Sequence, residues 1–238
     1  NELLISTINT DLANKLGNLV SRTTGMAEKY FGGTLPADRE DAPEDCDLKK
    51  TVCGLRDRYE AEMEKLQLQN GIDEVFKVID RANKYIDETA PWVLGKDESK
   101  RARLATVLYN LLETIRVCTT LLTPVMPETC GKIFEKIGAG EAARTWDSAN
   151  VWGVLPAQAQ VCKGENLFPR VDTEKALAEL NAMQEAQKKA ALPAIELEPY
   201  VEQEVDFDTF LKSDFRAVKI KNCEAVKKSD KLLKFTLD

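Results

Sequence analysis

From Leu4 the apolar positions step through Ile8, Leu12, Leu16, Leu19 and Val20. That rhythm of three and four predicts an amphipathic helix running to about Ala27, and Gly32-Gly33 and Pro36 stop it. Residues 36–47 are acidic and contain prolines, so they read as a surface connection. A second stripe of Val52, Leu55, Tyr59, Met63 and Leu66 predicts a helix from about Leu48 to Gln69, with Asn70-Gly71 as its C-terminal stop. The third takes Ile72, Val75, Phe76, Ile79, Ala82 and Ile86 inward and ends at Pro91, because the residue before proline is pushed out of the α region. Asp97 stands where an N-cap is needed for a fourth helix, whose stripe runs from Leu104 through Leu108, Leu111 and Ile115 to Leu122. Pro124 and Pro127 break that run, and a fifth helix, Glu128 to Ile137, closes at Gly138. Nothing before residue 140 alternates as a strand does. Five helices on short links predict a bundle.

Beyond residue 140 the rhythm is lost. Residues 141–172 hold Trp146, Trp152 and prolines with little periodicity, and read as an extended segment lying on the bundle or on something outside this chain. Residues 173–191 are rich in Ala, Glu, Lys and Gln with a thin apolar stripe, which predicts a solvated helical linker. Glu196, Glu198, Glu202, Glu204, Asp206 and Asp208 follow with no basic residue between them, and then the sign flips to a lysine-rich run from Lys212. Alternation in RAVKI and in LLKFTLD predicts two β-strands. Two strands are not independently stable, so they read as the opening of a β domain. The expected class is mainly α: a helical bundle over 1–140, an extended return segment over 141–172, a helical and acidic linker over 173–204, and a partial β domain over 205–238.

Composition narrows the chemistry. The 238 residues carry 33 Lys+Arg against 40 Asp+Glu, a net charge of −7, which argues against a hold on nucleic acid or membrane by net charge alone. There is no histidine, which excludes histidine-based triads, a histidine base and Cys₂His₂ zinc sites. The 12 glycines form neither a dinucleotide-binding nor a P-loop string. Six cysteines without a CxxC read as reduced thiols with packing roles. The most apolar stretch, Leu104 to Met126, is interrupted by Glu113 and Arg116, which argues against a membrane span. NELLISTINT has no initiator Met, basic leader or long apolar run, so no targeting signal is expected and the location read is cytoplasmic. The chain enters in mid-helix pattern and stops in strand pattern, and is read as cut from something longer.

Two local patterns carry candidate chemistry. In DLANKLGNLVSR, Asn18 and Arg22 sit i, i+4 on the flank of the apolar stripe, with Gly17 beside them placed to permit a close approach. Ordinary helix packing with a solvated arginine is the plain alternative. In ETAPWVLGKD, Pro91 fixes a turn, Val93 and Leu94 are expected to anchor it inward, and Trp92 sits at its tip. A rigid exposed indole stacks on an unpaired base, worth ~1–3 kcal/mol. The alternative is a buried Trp92 that plugs the corner.

Taken together, NTDLANKLGNLVSRTTGMAEKYFGG, ANKYIDETAPWVLGKD, VLYNLLETIRV with LLTPVMPET, and GENLFPRVD resemble the methionyl-tRNA synthetase family of class I aminoacyl-tRNA synthetases, in the family's order and over most of residues 1–172. From about Val205 the chain looks like the start of the tRNA-binding OB-fold appended to many of these enzymes. The proline pair of PVMPE is shared with other class I synthetases and is unspecific.

The resemblance implies that Trp92 stacks on an anticodon base with Pro91 shaping its corner, and that Asn18 and Arg22 contact anticodon bases. It implies nonspecific tRNA contacts from the OB-like segment, for which Arg216, Lys219, Lys231 and Lys234 are candidates. The partners it implies are the anticodon loop of tRNA(Met), the chain's own catalytic domain, and a second subunit through a complete C-terminal OB domain; no membrane partner is expected. No cofactor is expected in this segment, and ATP with Mg belongs to the catalytic domain, whose two-histidine signature has no counterpart here. KKSDK echoes that domain's Lys-Met-Ser-Lys-Ser loop, but in the wrong place. The rival readings are the anticodon domain of another class I synthetase and a helical protein-docking scaffold, which would bury Trp92.

Overall fold

The computed structural model describes residues 2–191, 204–214, 216–226 and 232–238. The chain divides into two compact units, Asn1–Lys188 and Lys189–Asp238. The first is a helical bundle. Its opening helix is continuous but not uniform: α1 (Glu2–Thr7) passes into a π-helical stretch, Ile8–Gly17, and then into α2 (Asn18–Phe31), which ends on a left-handed Gly32. Leu16, Leu19, Val20 and Ala27 bury its apolar stripe.

The second predicted helix is two helices, α3 (Pro43–Cys53) and α4 (Leu55–Glu64). It starts earlier than the stripe suggests because Pro43 takes the first helical position, where its missing N–H costs nothing, and Asp45 accepts the N–H of Ala42 at 2.9 Å. Gly54 breaks it. The turn that follows falls at Leu66, which is left-handed (φ 60°), rather than at Asn70-Gly71. Those two residues lie inside α5 (Leu68–Thr89), and Gly71 serves packing: a Cβ there would stand 2.9 Å from Met63 Cε.

A left-handed Ala90 ends α5, and Pro91 opens the short α6 (Pro91–Leu94). Asp97 caps a 3₁₀ turn, Glu98–Lys100, by accepting the Ser99 N–H at 3.0 Å, and α7 (Arg101–Leu122) grows from it. From Leu104 onward α7 is surrounded by the other helices and buried almost all round. The α8 helix (Pro127–Lys136) matches the predicted fifth helix.

Glu113 and Arg116, which interrupt the apolar run, are both fully buried and paired at 2.8 Å. Arg116 also donates to the Ser148 and Val151 carbonyls at 3.0 and 2.6 Å, and Glu113 accepts the N–H groups of Gly153 and Leu155 at 3.0 and 2.6 Å. The return segment is therefore pinned to the central helix by its own backbone. Further on it meets the loop after α2: Leu35 N–H bonds Ala159 O at 3.0 Å and Val161 N–H bonds Gly33 O at 2.8 Å, around the isolated bridge Thr34–Gln160. A helix α9 (Thr173–Ala191), exposed along most of its described length, follows as predicted.

A second polar group lies between helices. Asp45 on α3 receives both arms of Arg103 at 2.8 Å and the Tyr85 hydroxyl at 2.5 Å. Burial alone would push this carboxyl up, but the Arg103 and Tyr85 donors outweigh it and hold the pKa below the ordinary 3.8. Cys118 and Cys130 are buried, and burial raises their thiols to about 12 and about 11. The other four cysteines are exposed and free, so packing explains only this pair. Among the described residues no helix is long and apolar enough to cross a membrane.

In the second unit Asp206 caps a short α10 (Phe207–Leu211), which the residue pattern does not announce. Strand β1 (Ile220–Ala225) pairs antiparallel with β2 (Leu233–Leu237), Ala225 opposite Leu233 and Ile220 opposite Leu237. The first strand was expected over 216–220 and is displaced toward the turn. Lys219 and Asp238 exchange both backbone bonds beside the Ile220–Leu237 pair. Both strands are exposed throughout.

Removing one partner of a buried ion pair strands the other, at ~3–5 kcal/mol. Arg116→Ala is expected to lower the urea-unfolding free energy by about that amount. Asp45 supplies the acid dependence. Its folded pKa lies below its unfolded value of 3.8, so between the two the unfolded chain binds more protons and stability falls as pH falls. Asp45→Asn should flatten the dependence of unfolding free energy on pH below about 4; an unchanged slope would count against this.

Candidate nucleic-acid interface

Asn18 is exposed on the first turn of α2, and Arg22 follows one turn on, half-buried. Arg22 Nη2 pairs with Asp87 Oδ1 of α5 at 3.2 Å, while its guanidinium carbon stands 5.8 Å from the centroid of the Trp92 ring. The structure therefore brings Arg22 and Trp92 together, and joins them to α5. Asn18 forms no side-chain hydrogen bond among the described residues, so its amide keeps both donor and acceptor capacity.

The corner holding Trp92 is stiff for traceable reasons. Ala90 adopts φ 43°, a left-handed conformation uncommon outside glycine, and its carbonyl accepts the Val93 N–H at 2.8 Å. Positions three apart share a helix face, so the four-residue helix turns Pro91 and Leu94 toward the core and leaves Trp92 and Val93 outside. Pro91 is buried and Leu94 packs on the core, whereas Val93 is 52% exposed, against the expectation that it anchors inward. Trp92 is 41% exposed. It does not plug the corner. Gly95 completes the seat, since a Cβ there would overlap the ring of Tyr30 on α2.

Gly17 meets its expectation and acquires a partner. A Cβ at this position would stand 3.1 Å from the ring of Phe168, a residue of the return segment. Beside this contact a cleft of about 310 Å³ is lined by Asn14, Asn18 and Ser21 on the helix and by Asn166, Phe168 and Arg170 on the returning chain. Arg170 donates to Asn14 Oδ1 at 2.7 Å, and Asn9 exchanges two 2.9 Å bonds with the Val171 backbone. GENLFPRVD thus lies along the first helix, a contact that no spacing within either string could reveal.

Three residues of α5 were also missed. Asp80, Asn83 and Asp87 share one face and meet the first helix in sequence: Asp80 pairs with Lys15 Nζ at 3.1 Å, the Asn83 amide lies 3.4 Å from Lys15 O, and Asp87 pairs with Arg22. Burial would pull the Lys15 ammonium down, yet its bonds to Asp80 and Asp11 hold it above the ordinary value. The available signal was a polar stripe at i, i+3, i+7 flanking the apolar one.

In the second unit Arg216 is exposed and paired with Asp214 at 2.7 Å, while Lys219 is exposed just before β1 and Lys234 is exposed on β2. Lys231 lies outside the described residues.

An exposed indole, a guanidinium beside it and a free amide one turn away make a surface for a planar, hydrogen-bonding ligand. The model of the anticodon binding domain of methionyl tRNA ligase matches residues 35–188. The chain belongs to that family. The match spans Pro91 and Trp92, and the first helix is covered by whole-chain relatives. The methionine–tRNA ligase of Clostridium acetobutylicum is 45% identical over 240 residues, covering all of this chain and 36% of that protein. The enzyme of Caldanaerobacter subterraneus subsp. tengcongensis is 46% identical with the same coverage. Among solved structures, the apo methionyl-tRNA synthetase of Mycobacterium tuberculosis aligns with TM-score 0.67 and 33% identity over 72% of this chain and 35% of that one. Another from that organism is bound by methionyl-adenylate. The chain thus spans about a third of the length of the relatives it matches.

This placement of Trp92 in a methionyl-tRNA ligase anticodon-binding domain has a direct optical consequence. Trp146 and Trp152 are only half-exposed and pack against the core. Iodide should quench the Trp92 emission most strongly, so Trp92→Phe should lower the quenching slope of the whole chain. An unchanged slope would place the indole inside.

Proposed function

We propose that this chain reads the anticodon of tRNA(Met) within a methionine–tRNA ligase, the ATP-dependent enzyme that attaches methionine to its tRNA. The observation that carries the reading is the exposed Trp92 with Arg22 at 5.8 Å. Anticodon-loop bases are single-stranded and can be splayed, so one base stacks on the indole while guanidinium and amide donors address base edges. Arg22 retains donors beyond the one engaged by Asp87, and Asn18 can meet both a donor and an acceptor. Pro91 holds the corner. The four residues form one site in this reading.

The other parts take supporting roles. Residues 1–140 form the anticodon-binding bundle, 141–172 the return segment, 173–204 the linker and 205–238 the opening of a tRNA-binding OB domain. Lys219, Lys231, Lys234 and Arg216 contribute salt-sensitive phosphate attraction, and a complete OB domain would join two subunits. Methionine activation belongs to the part of the relatives' length that this chain does not span. ATP with Mg would be held there, and this reading assigns no cofactor to the residues of this chain. The enzyme would work in the cytoplasm.

Trp92→Ala should weaken binding of tRNA(Met) to this chain by ~1–3 kcal/mol, about 5- to 150-fold in Kd. Binding of an anticodon-swapped tRNA(Met) should change little. Filter binding at fixed salt measures both. Equal and equally salt-sensitive binding of the two tRNAs by the unaltered chain would sink the reading.

A further inference from the structure

We infer that Asn83 is a positioning residue for anticodon reading, acting on Asn18 and Arg22 through the π-helical stretch that precedes them. The inference rests on the proposed function and adds to it a residue that contacts no RNA.

The first helix is π-helical over Ile8–Gly17 and becomes α-helical at Asn18. A π turn closes its hydrogen bonds one residue later than an α turn and holds more residues per turn. It therefore rotates everything downstream about the helix axis. The direction in which Asn18 and Arg22 point is set by how the π stretch ends. Such turns cost stability relative to the α form and recur at functional sites.

At that end the structure places one polar side chain from the facing helix. Asn83 Nδ2 lies 3.4 Å from Lys15 O and 3.1 Å from Ile79 O, one turn back on its own helix. Both neighbours are acceptors, so the amide must present its NH₂ to them. Its Oδ1 then has nothing to accept from. Among the described residues it is the one buried side-chain N or O atom with no hydrogen-bond partner. Leaving a buried acceptor unmade is unfavourable, and an aliphatic side chain of the same shape would avoid it. Fold stability therefore does not account for the residue.

Its neighbours show what it does hold. Asp80 and Asp87 flank it on the same face of α5 and clasp Lys15 and Arg22 by their side chains. Those ion pairs are exposed, and exposed pairs hold a geometry weakly. Asn83 alone grips the helix by its backbone. It does so at Lys15, whose carbonyl shares the Asn18 N–H with that of Ala13. One carbonyl thus links the α5 amide to the first reading residue.

The test compares the unaltered 238-residue chain with Asn83→Leu, using synthetic stem-loops that carry either the methionine anticodon CAU or a swapped one. Leu matches the shape of Asn and removes the stranded acceptor along with the donors. The melting midpoint should stay level or rise, while the affinity ratio of CAU over the swapped loop should fall about fivefold to tenfold, the worth of one hydrogen bond. Asn83→Ser is the second variant. A serine hydroxyl reaches the carbonyl four residues back on its own helix but not across to Lys15, so the ratio should fall there too, and it decides alone if the Leu variant does not fold. Ile133→Val, a buried change on α8, should lower the midpoint and leave the ratio untouched. An unchanged ratio in a folded Asn83 variant overturns the inference. Trp92→Ala run beside it separates the two ideas: if that variant keeps the CAU preference, the anticodon reading itself has failed. If it loses the preference while the Asn83 variants keep theirs, only the positioning role falls.

Discussion

A buried pair of charges organises this chain. Glu113 and Arg116 sit in the middle of α7, which packs against α2, α3, α5, α6 and α8 and is buried almost all round, where an unpaired charge would be prohibitively costly. They are tolerated because their remaining valences are filled by backbone groups of residues 143–155. The consequence reaches well beyond the pair. Apolar contacts of Trp146, Trp152 and Leu155 dock the return segment, and these bonds fix its register on α7. From there it can continue past Gly33 and Thr34 and lay Phe168 and Arg170 against the first helix. The cleft beside Asn18 has two walls for that reason.

The second level of organisation is the approach of α5 to the first helix. Apolar residues bring the two together, since Leu16, Leu19, Val75, Val78, Ile79 and Ala82 belong to one buried cluster. Apolar contact is non-directional, however, and does not choose which way a neighbouring polar side chain faces. The polar edge of α5 does that, with Asp80 and Asp87 on side chains and Asn83 on the backbone. The Ala90–Gly95 corner at the end of the same helix supplies Trp92. The end of α5 thereby sets Trp92, on α6, close to the polar edge that meets the first helix.

What the residue pattern disclosed follows the same division. Helices with a strong apolar stripe were legible, the first, third, fourth and fifth appearing near their expected places, and composition announced the linker helix. The breaks between them were less so. Asn70-Gly71 has the composition of a stop, yet Met63 fills the space over Gly71 and the turn falls on a left-handed Leu66 instead. Strand β1 lies past the alternation in RAVKI because register depends on the partner strand, which is not a local property. Of the candidate site, Asn18, Arg22, Pro91 and Trp92 could be named from two short strings. Their juxtaposition, with Arg22 against Trp92, could not, because the residues lie some seventy positions apart. Asp80, Asn83 and Asp87 escaped because polar residues flanking a helix stripe are usually just solvated. Only contact with another chain segment distinguishes them.

The charge of the protein bears on how such a site would work. A chain with net charge −7 does not gather RNA by bulk attraction, and two cations at this surface, Lys15 and Arg22, are each matched by an aspartate, while Arg170 is bonded to Asn14. Phosphate attraction from those two paired cations is muted. Affinity at the bundle would therefore come from stacking and from hydrogen bonds to base edges, which depend on sequence, while the salt-sensitive part would fall to the lysine-rich segment after Lys212. A surface that bound phosphate strongly would hold every tRNA nearly alike. With Lys15 and Arg22 paired and the indole and the Asn18 amide open, the proposed site would leave discrimination to the contacts that can tell one base from another.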